Sequence, residues 1–410
     1  MEFFTFTLPN GVRCIHKRVR SDVTHCALMI NAGSRDELPA EHGIAHFVEH
    51  ALFKGTERRR AFHISSRLEN LGGELNAFTT KEDTTIHATT LKGDFGKAAE
   101  LIADMVFRST FPEREIEREQ QVIVDEINSY RDIPQEMLYD GFDALMFAGS
   151  PLGRSIAGTA RSVARFDRAA LRGFVERTYT PDQMVFAAVG NVSEKVFRAV
   201  CERWFGEASG AASGLVRRGF SRVVPPDYVP FEKVVSKSGN HQSHCALGNR
   251  AYSLSDDRRL PLALLVNLLG GPAANSRLNT VLRERNGLTY SIEASYVPFS
   301  DTGFVTIGFS CERDKIDRCR ELIDVELQRV MESPLSPRQL SMAKKQFVGQ
   351  FAISMDASEG YMLGAAKSYL VYNEIDSPQT VARKVNEISA EQIVEVARDV
   401  FESLSSLIYR

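Results

Sequence analysis

Two imidazoles and a carboxylate fall within one helical turn at His46-Phe47-Val48-Glu49-His50. On a helix, residues four apart share a face, so His46 and His50 present ring nitrogens to the same point, and Glu49 borders that face. The arrangement suits a divalent metal, with two neutral imidazoles for Zn²⁺ and a carboxylate left over as proton acceptor. The H-x-x-E-H order is the reverse of H-E-x-x-H, with the same physical content. The chemistry it equips is metal-assisted hydrolysis. A histidine pair on a helix is also an ordinary core or surface feature, so a third ligand is needed before the motif becomes a site.

A catalytic zinc takes three protein ligands and keeps a fourth position open. The run from Glu113 to Ile127 reads as a helix, with Ile116, Ile123 and Ile127 recurring on one side. Glu119 and Glu126, seven residues apart, share a face beside that stripe, and both are candidates for the missing carboxylate. The rest of the acidic cluster reads as a solvated face.

Together these residues resemble the pitrilysin-type (M16) zinc metallopeptidases, nearest to the mitochondrial processing peptidase beta-subunit type and its bacterial relatives. In that family a ligand glutamate follows the motif at the spacing by which Glu126 follows His50, 76 residues. The resemblance thus implies Glu126 as third ligand and Glu119 as the family's second, non-ligand glutamate. It extends along the chain. The stretch from Gly43 to Thr56 is similar to the family's active-site helix. Leu75-Asn76-Ala77-Phe78-Thr79 resembles its substrate-edge strand, and Leu282 to Ser291 carries the Arg and Tyr that the family contributes from its second domain, here Arg283 and Tyr290.

The resemblance implies a fold and a division of labour. Each half is expected to be an α+β domain, a mostly antiparallel sheet with helices packed on one face. His46, His50 and Glu126 would hold Zn²⁺, with Glu49 as base and Glu119 orienting a ligand or its helix. Arg283 and Tyr290 would donate to the oxyanion or hold the neighbouring backbone. Asn76, Ala77 and Phe78 would offer a strand edge to an extended peptide or unfolded polypeptide segment, bound within a closed chamber. The expected activity is that of a zinc metalloendopeptidase. Family relatives also include non-catalytic scaffold subunits and peptidases in which one chain supplies the zinc and another the Arg and Tyr. Both sets occur in this chain, which favours a self-sufficient homodimer.

Composition fits this reading. The 410 residues exceed one ordinary core, so two domains of about 200 residues are expected. The chain is 43% hydrophobic and 25% charged, with a net charge of −3 that argues neither for nucleic acid nor for an anionic membrane surface. Six cysteines are scattered with no C-x-x-C pair, as expected of reduced, buried thiols. The first residues read as a hairpin turning at Pro9-Asn10-Gly11 and not as a signal sequence, and no apolar run approaches the roughly 18 residues of a membrane span. A cytoplasmic protein is the expectation.

The elements that must position the site follow in order. Strands are expected at 3–8, 12–17 and 23–31, then the metal helix, a helix over 61–71, strands at 74–80 and 84–91, and helices to about 147. An apolar pattern then repeats: Val163, Phe166, Leu171, Phe174, Tyr179, Val185 and Phe186 are matched 222 positions later by Val385, Ile388, Ile393, Val396, Phe401, Leu407 and Ile408. Seven matched positions over a helix and the strand after it point to a duplicated domain. The small, flexible stretch at 206–214 and Pro225-Pro226 place a linker at 207–228, between a zinc-binding domain at 1–206 and a metal-free copy at 229–410. Where that copy should carry the motif, Leu262 to Leu269 is almost wholly apolar.

Two other features carry less. His241 and His244 form H-x-x-H, but the sequence after them reads as strand, where residues three apart face opposite sides, so His244 is expected to be structural or on the substrate side. Gly270-Gly271-Pro272 lacks the Lys-Ser/Thr of a phosphate loop and reads as the turn before the helix carrying Arg283.

Overall fold

The computed structural model describes residues 3–206, 222, 224–236 and 242–410, so most of the expected linker, and His241, lie outside the described residues. The N-terminal hairpin forms as read, with Phe4–Thr7 (β1) antiparallel to Arg13–Arg18 (β2). Gly11 supplies the turn's positive φ of 101°. Val23–Ile30 (β3), Glu74–Thr79 (β4), Thr84–Leu91 (β5) and Met184–Gly190 (β6) complete a sheet in the order β1-β2-β6-β3-β5-β4. Only the β2–β6 pair is parallel.

A second sheet is built from Glu232–Val235 (β7), Gln242–Ala251 (β8), Thr289–Pro298 (β9), Gly303–Glu312 (β10) and Ser405–Tyr409 (β11), in the order β7-β11-β8-β10-β9. Its one parallel pair is β7 with β11. Strand for strand this repeats β2-β6-β3-β5-β4 in order and sense. The apolar echo runs from Val163, at the end of a short helix, through helix Arg168–Thr178 into β6, and from Val385, in helix Pro378–Glu387, through helix Ala390–Phe401 into β11. The fold is a duplicated α+β domain.

The two compact units do not follow one cut through the chain. One comprises Met1–Ser129, Arg154–Val223 and Ile353–Ser377, the other Tyr130–Gly153, Val224–Ala352 and Pro378–Arg410. The expected boundaries, 1–206 and 229–410, differ from these by an exchange of helices. In the first unit the main helical layer puts Phe47, Leu101, Phe174 and Phe197 against Leu28 and Phe186 on one face of the sheet. The opposite face is apolar too, through Ile15, Ala27, Met29, Val185 and Ala187, and helix Ser358–Tyr372 covers it with Met362, Ala365, Ala366 and Leu370. In the second unit, helix Pro134–Met146 takes the equivalent place, with Leu138 and Phe142 against Ala246 and Leu407. It lies so close that a Cβ on Gly308 would run into the Tyr139 hydroxyl. A sheet that is buried on both faces needs both layers, and the helices-on-one-face expectation lacked the second.

All six cysteines are buried and free. Among the described residues, no helix is long and apolar enough to cross a membrane.

Candidate metal centre

The helix Ile44–Leu52 buries Ile44, Ala45, Phe47, Val48, Ala51 and Leu52, which leaves His46, Glu49 and His50 on the remaining arc. Its start is unusual. Gly43 occupies the cap position with φ 94° and has no side chain to offer the first-turn N–H groups. Glu37 supplies that cap from outside the helix: its carboxylate oxygens accept from the backbone N–H of Gly43 and of Ala45, each at 3.0 Å. A Cβ at Gly43 would stand 2.7 Å from Gly158 Cα, so the close approach also requires glycine.

Helix Glu113–Arg131 faces this arc, anchored by buried Ile116, Ile123 and Ile127. Its two aligned carboxylates reach opposite nitrogens of one imidazole: His50 Nδ1 lies 2.8 Å from Glu119 Oε1, and His50 Nε2 lies 3.6 Å from Glu126 Oε2. Glu126 Oε1 is 3.8 Å from His46 Nε2. The candidate ligand atoms of His46, His50 and Glu126 all fall within 4.8 Å of one another, the one such metal-sized grouping among the described residues. Two imidazoles and one carboxylate are the donor set of a three-ligand zinc site. The His50–Glu119 pair adds the carboxylate–histidine contact that fixes a ligand's tautomer.

Electrostatics agree with these contacts. Burial, together with the neighbouring His50, pushes the His46 imidazole down to about 4, so it is neutral at physiological pH and free to bind a cation. Burial alone would lower His50 as well, but the Glu119 hydrogen bond and the surrounding carboxylates outweigh it and hold His50 above its ordinary value. Burial would raise Glu119, yet hydrogen bonds from His50 and from Lys54, whose Nζ is 2.7 Å away, keep it below the usual range. Burial raises the Glu49 carboxyl, against the pull of a hydrogen bond from Thr79 Oγ1 to Glu49 Oε2 at 2.7 Å.

The remaining expected residues fall in two places. Asn76, Ala77 and Phe78 lie on β4, which pairs with β5 and ends the sheet order, so its other edge bears no strand among the described residues. Arg283 and Tyr290 belong to the second unit, where the Arg283 guanidinium stands 5.5 Å from the Tyr290 ring centre across the Gly287 turn, at φ 59°. Tyr290 is 83% exposed. Arg283 sits in a wide π-type turn, Asn279–Arg285, and not in the ordinary helix expected. His244 is on β8 and pairs its Nδ1 with Ser310 Oγ at 2.8 Å, a structural contact. The sequence reading missed Glu37, Lys54 and Thr79. The absence of a capping side chain at Gly43 was the one local sign of Glu37.

Residues 14–160 match the family model described as insulinase (peptidase family M16), and residues 165–347 match the peptidase M16 inactive domain. The uncharacterized zinc protease YmxG of Bacillus subtilis is 32% identical over 401 residues, covering 97% of this chain and 95% of that protein. The chain belongs to peptidase family M16. A second M16 relative, an uncharacterized zinc protease of Mycobacterium tuberculosis, is 33% identical over 398 residues, covering 96% of this chain and 89% of its own length. The fold agrees with that of a protease from Helicobacter pylori, with a TM-score of 0.91 at 21% identity over 100% of this chain and 99% of that one.

Proposed function

We propose that this M16 chain is a zinc-dependent endopeptidase that hydrolyses peptides or unfolded polypeptide segments. The observation that carries the proposal is the convergence of His46, His50 and Glu126 within 4.8 Å of one another. Glu49 stands on the same helical arc without belonging to that set. His46, His50 and Glu126 would hold Zn²⁺, which when bound supplies a Lewis acid that polarises a carbonyl and acidifies water.

The chain's own residues do the rest. Thr79 engages Oε2 of Glu49, which leaves Oε1 to take a proton from the attacking water and return it to the leaving amine nitrogen. Glu119 accepts from His50 Nδ1–H, so the ring's Nε2 carries the lone pair. The open edge of β4, with Asn76, Ala77 and Phe78, receives substrate as an added strand, which reads backbone more than side chain. Arg283 and Tyr290 are assigned to the substrate side as donors to the developing oxyanion or its neighbouring backbone. Because one chain carries both sets, the proposal extends to a homodimer acting in the cytoplasm on substrate held in a closed chamber.

The test is the purified chain alone, assayed on an unstructured fluorogenic peptide during size-exclusion chromatography, with and without a chelator. Activity should elute with the dimer, disappear on chelation and return with zinc. A zinc-loaded chain that cleaves nothing would instead be a partner-dependent or scaffold subunit.

A further inference from the structure

The geometry points to Thr79 as the positioning residue of the catalytic base, joining the substrate-receiving edge of the sheet to Glu49. This inference rests on the reading of Glu49 as base. Thr79 is the last residue of β4, and side chains along a strand alternate between faces. Leu75 and Ala77 turn to the core beneath the helical layer. Thr79 continues that series and meets the metal helix, where its Oγ1 donates to Glu49 Oε2 at 2.7 Å. Glu74, Asn76 and Phe78 belong to the other face, where the Phe78 ring packs 5.9 Å from that of His87.

A glutamate on a helix swings about three bonds, and its carboxylate holds one direction only if something fixed holds it. Thr79 is suited to this because a β-branched side chain is stiff at χ1. Its backbone is fixed in turn: Thr79 pairs with Thr84 on β5, and Thr84 Oγ1 donates to Ala32 O at 2.8 Å. The direction of the base is therefore set by the strand that a peptide would extend, one residue beyond Phe78. Substrate added to that edge orders the backbone that carries the hydroxyl. Removing the hydroxyl leaves the edge able to bind and the base able to ionise, but frees the carboxylate to wander. The chemical step should suffer while binding does not.

Steady-state kinetics on an unstructured peptide, with zinc content and melting temperature, are to be compared for Thr79→Val, Thr79→Ser and Glu49→Gln. Thr79→Val should retain zinc and its melting transition, lose about tenfold to a hundredfold in kcat and keep its KM. Thr79→Ser should recover most of that loss. Wild-type kcat in Thr79→Val, a change confined to KM, or equal loss in the serine variant would overturn the assignment. Should Thr79→Val not fold, Thr79→Ala is judged by the same criteria. A crystal structure of the hydroxyl-less variant reads the effect without turnover: Glu49 spread over several rotamers supports the proposal, and one wild-type rotamer overturns it. Glu49→Gln separates the two readings. If it stays active, the base assignment itself is wrong, and if it is dead while Thr79→Val behaves as wild type, only the role of Thr79 fails.

Discussion

Nδ1 of His50 lies 2.8 Å from Oε1 of Glu119, a contact that decides which nitrogen of the ring is left for a metal. The carboxylate is an acceptor only, so the proton stays on Nδ1 and the lone pair on Nε2, on the side of Glu126. Lys54 holds the other oxygen of Glu119 at 2.7 Å and offsets its charge.

Glu119→Gln is expected to weaken zinc binding by about 10- to 100-fold, the usual effect of losing a partner that orients a ligand. Glu126→Gln should cost more, because it also removes a charge that offsets the ion. Competition against a chromophoric chelator ranks the two. The reverse ranking would place Glu119 on the metal.

Glu49→Gln is expected to keep one zinc per chain and lose peptide hydrolysis, since an amide preserves shape but takes no proton. Elemental analysis beside a cleavage assay checks this. Loss of zinc in proportion to activity would make Glu49 a ligand.

Arg283→Ala and Tyr290→Phe should leave zinc content and melting temperature unchanged and lower kcat by about a hundredfold each, the scale of one oxyanion donor. Kinetics on an unstructured peptide decide. Wild-type turnover in both would remove the second unit's Arg and Tyr from the chemistry.

Glu37 makes stability depend on pH, because burial pushes its carboxyl up to about 8 from 4.5 despite its two backbone donors. A raised carboxyl pKa means the folded protein prefers the protonated form. The contribution of this group to stability is whole below about pH 4.5 and is lost as pH rises through about 8, each tenfold difference in proton affinity between the folded and unfolded chain being worth about 1.4 kcal/mol. Glu37→Gln does not titrate and should gain on the wild type across that window. Urea denaturation of both at pH 5 and pH 9, with chelator present, measures the difference. A gap that stays constant with pH would show Glu37 ionised in the folded state.

What was legible in the sequence is what is local or periodic. His46, Glu49 and His50 are set by helical spacing alone. The pairing of Glu119 and Glu126 came from two turns of a helix whose isoleucine stripe was plain, and only the family resemblance implied which of the two would be the ligand. The strands of the first sheet were recoverable because apolar and turn-forming residues mark them off along the chain. Thr79 and Glu37 were not legible, since Thr79 meets the helix of His46 only after the chain folds back, Glu37 caps that helix across an irregular connection just ahead of it, and neither a threonine in a strand nor a glutamate in a loop has a pattern of its own. The exchanged helices were hidden for a related reason. Helix Ser358–Tyr372 is apolar around much of its circumference, and nothing in such a pattern says which sheet it will cover.

That exchange bears on how the protein is made. The face of the first sheet formed by Ala27, Met29, Val185 and Ala187 finds its main cover in residues 358–372. A nascent chain that has emerged past Gly190 thus carries His46, Glu49, His50 and Glu126 beside a sheet with one apolar face bare. Contacts so distant in sequence form slowly, and an uncovered apolar face invites association with other chains in the meantime. A fragment ended at Gly206 is expected to aggregate, and the unit bearing His46, His50 and Glu126 is complete only when synthesis of the whole polypeptide is nearly finished.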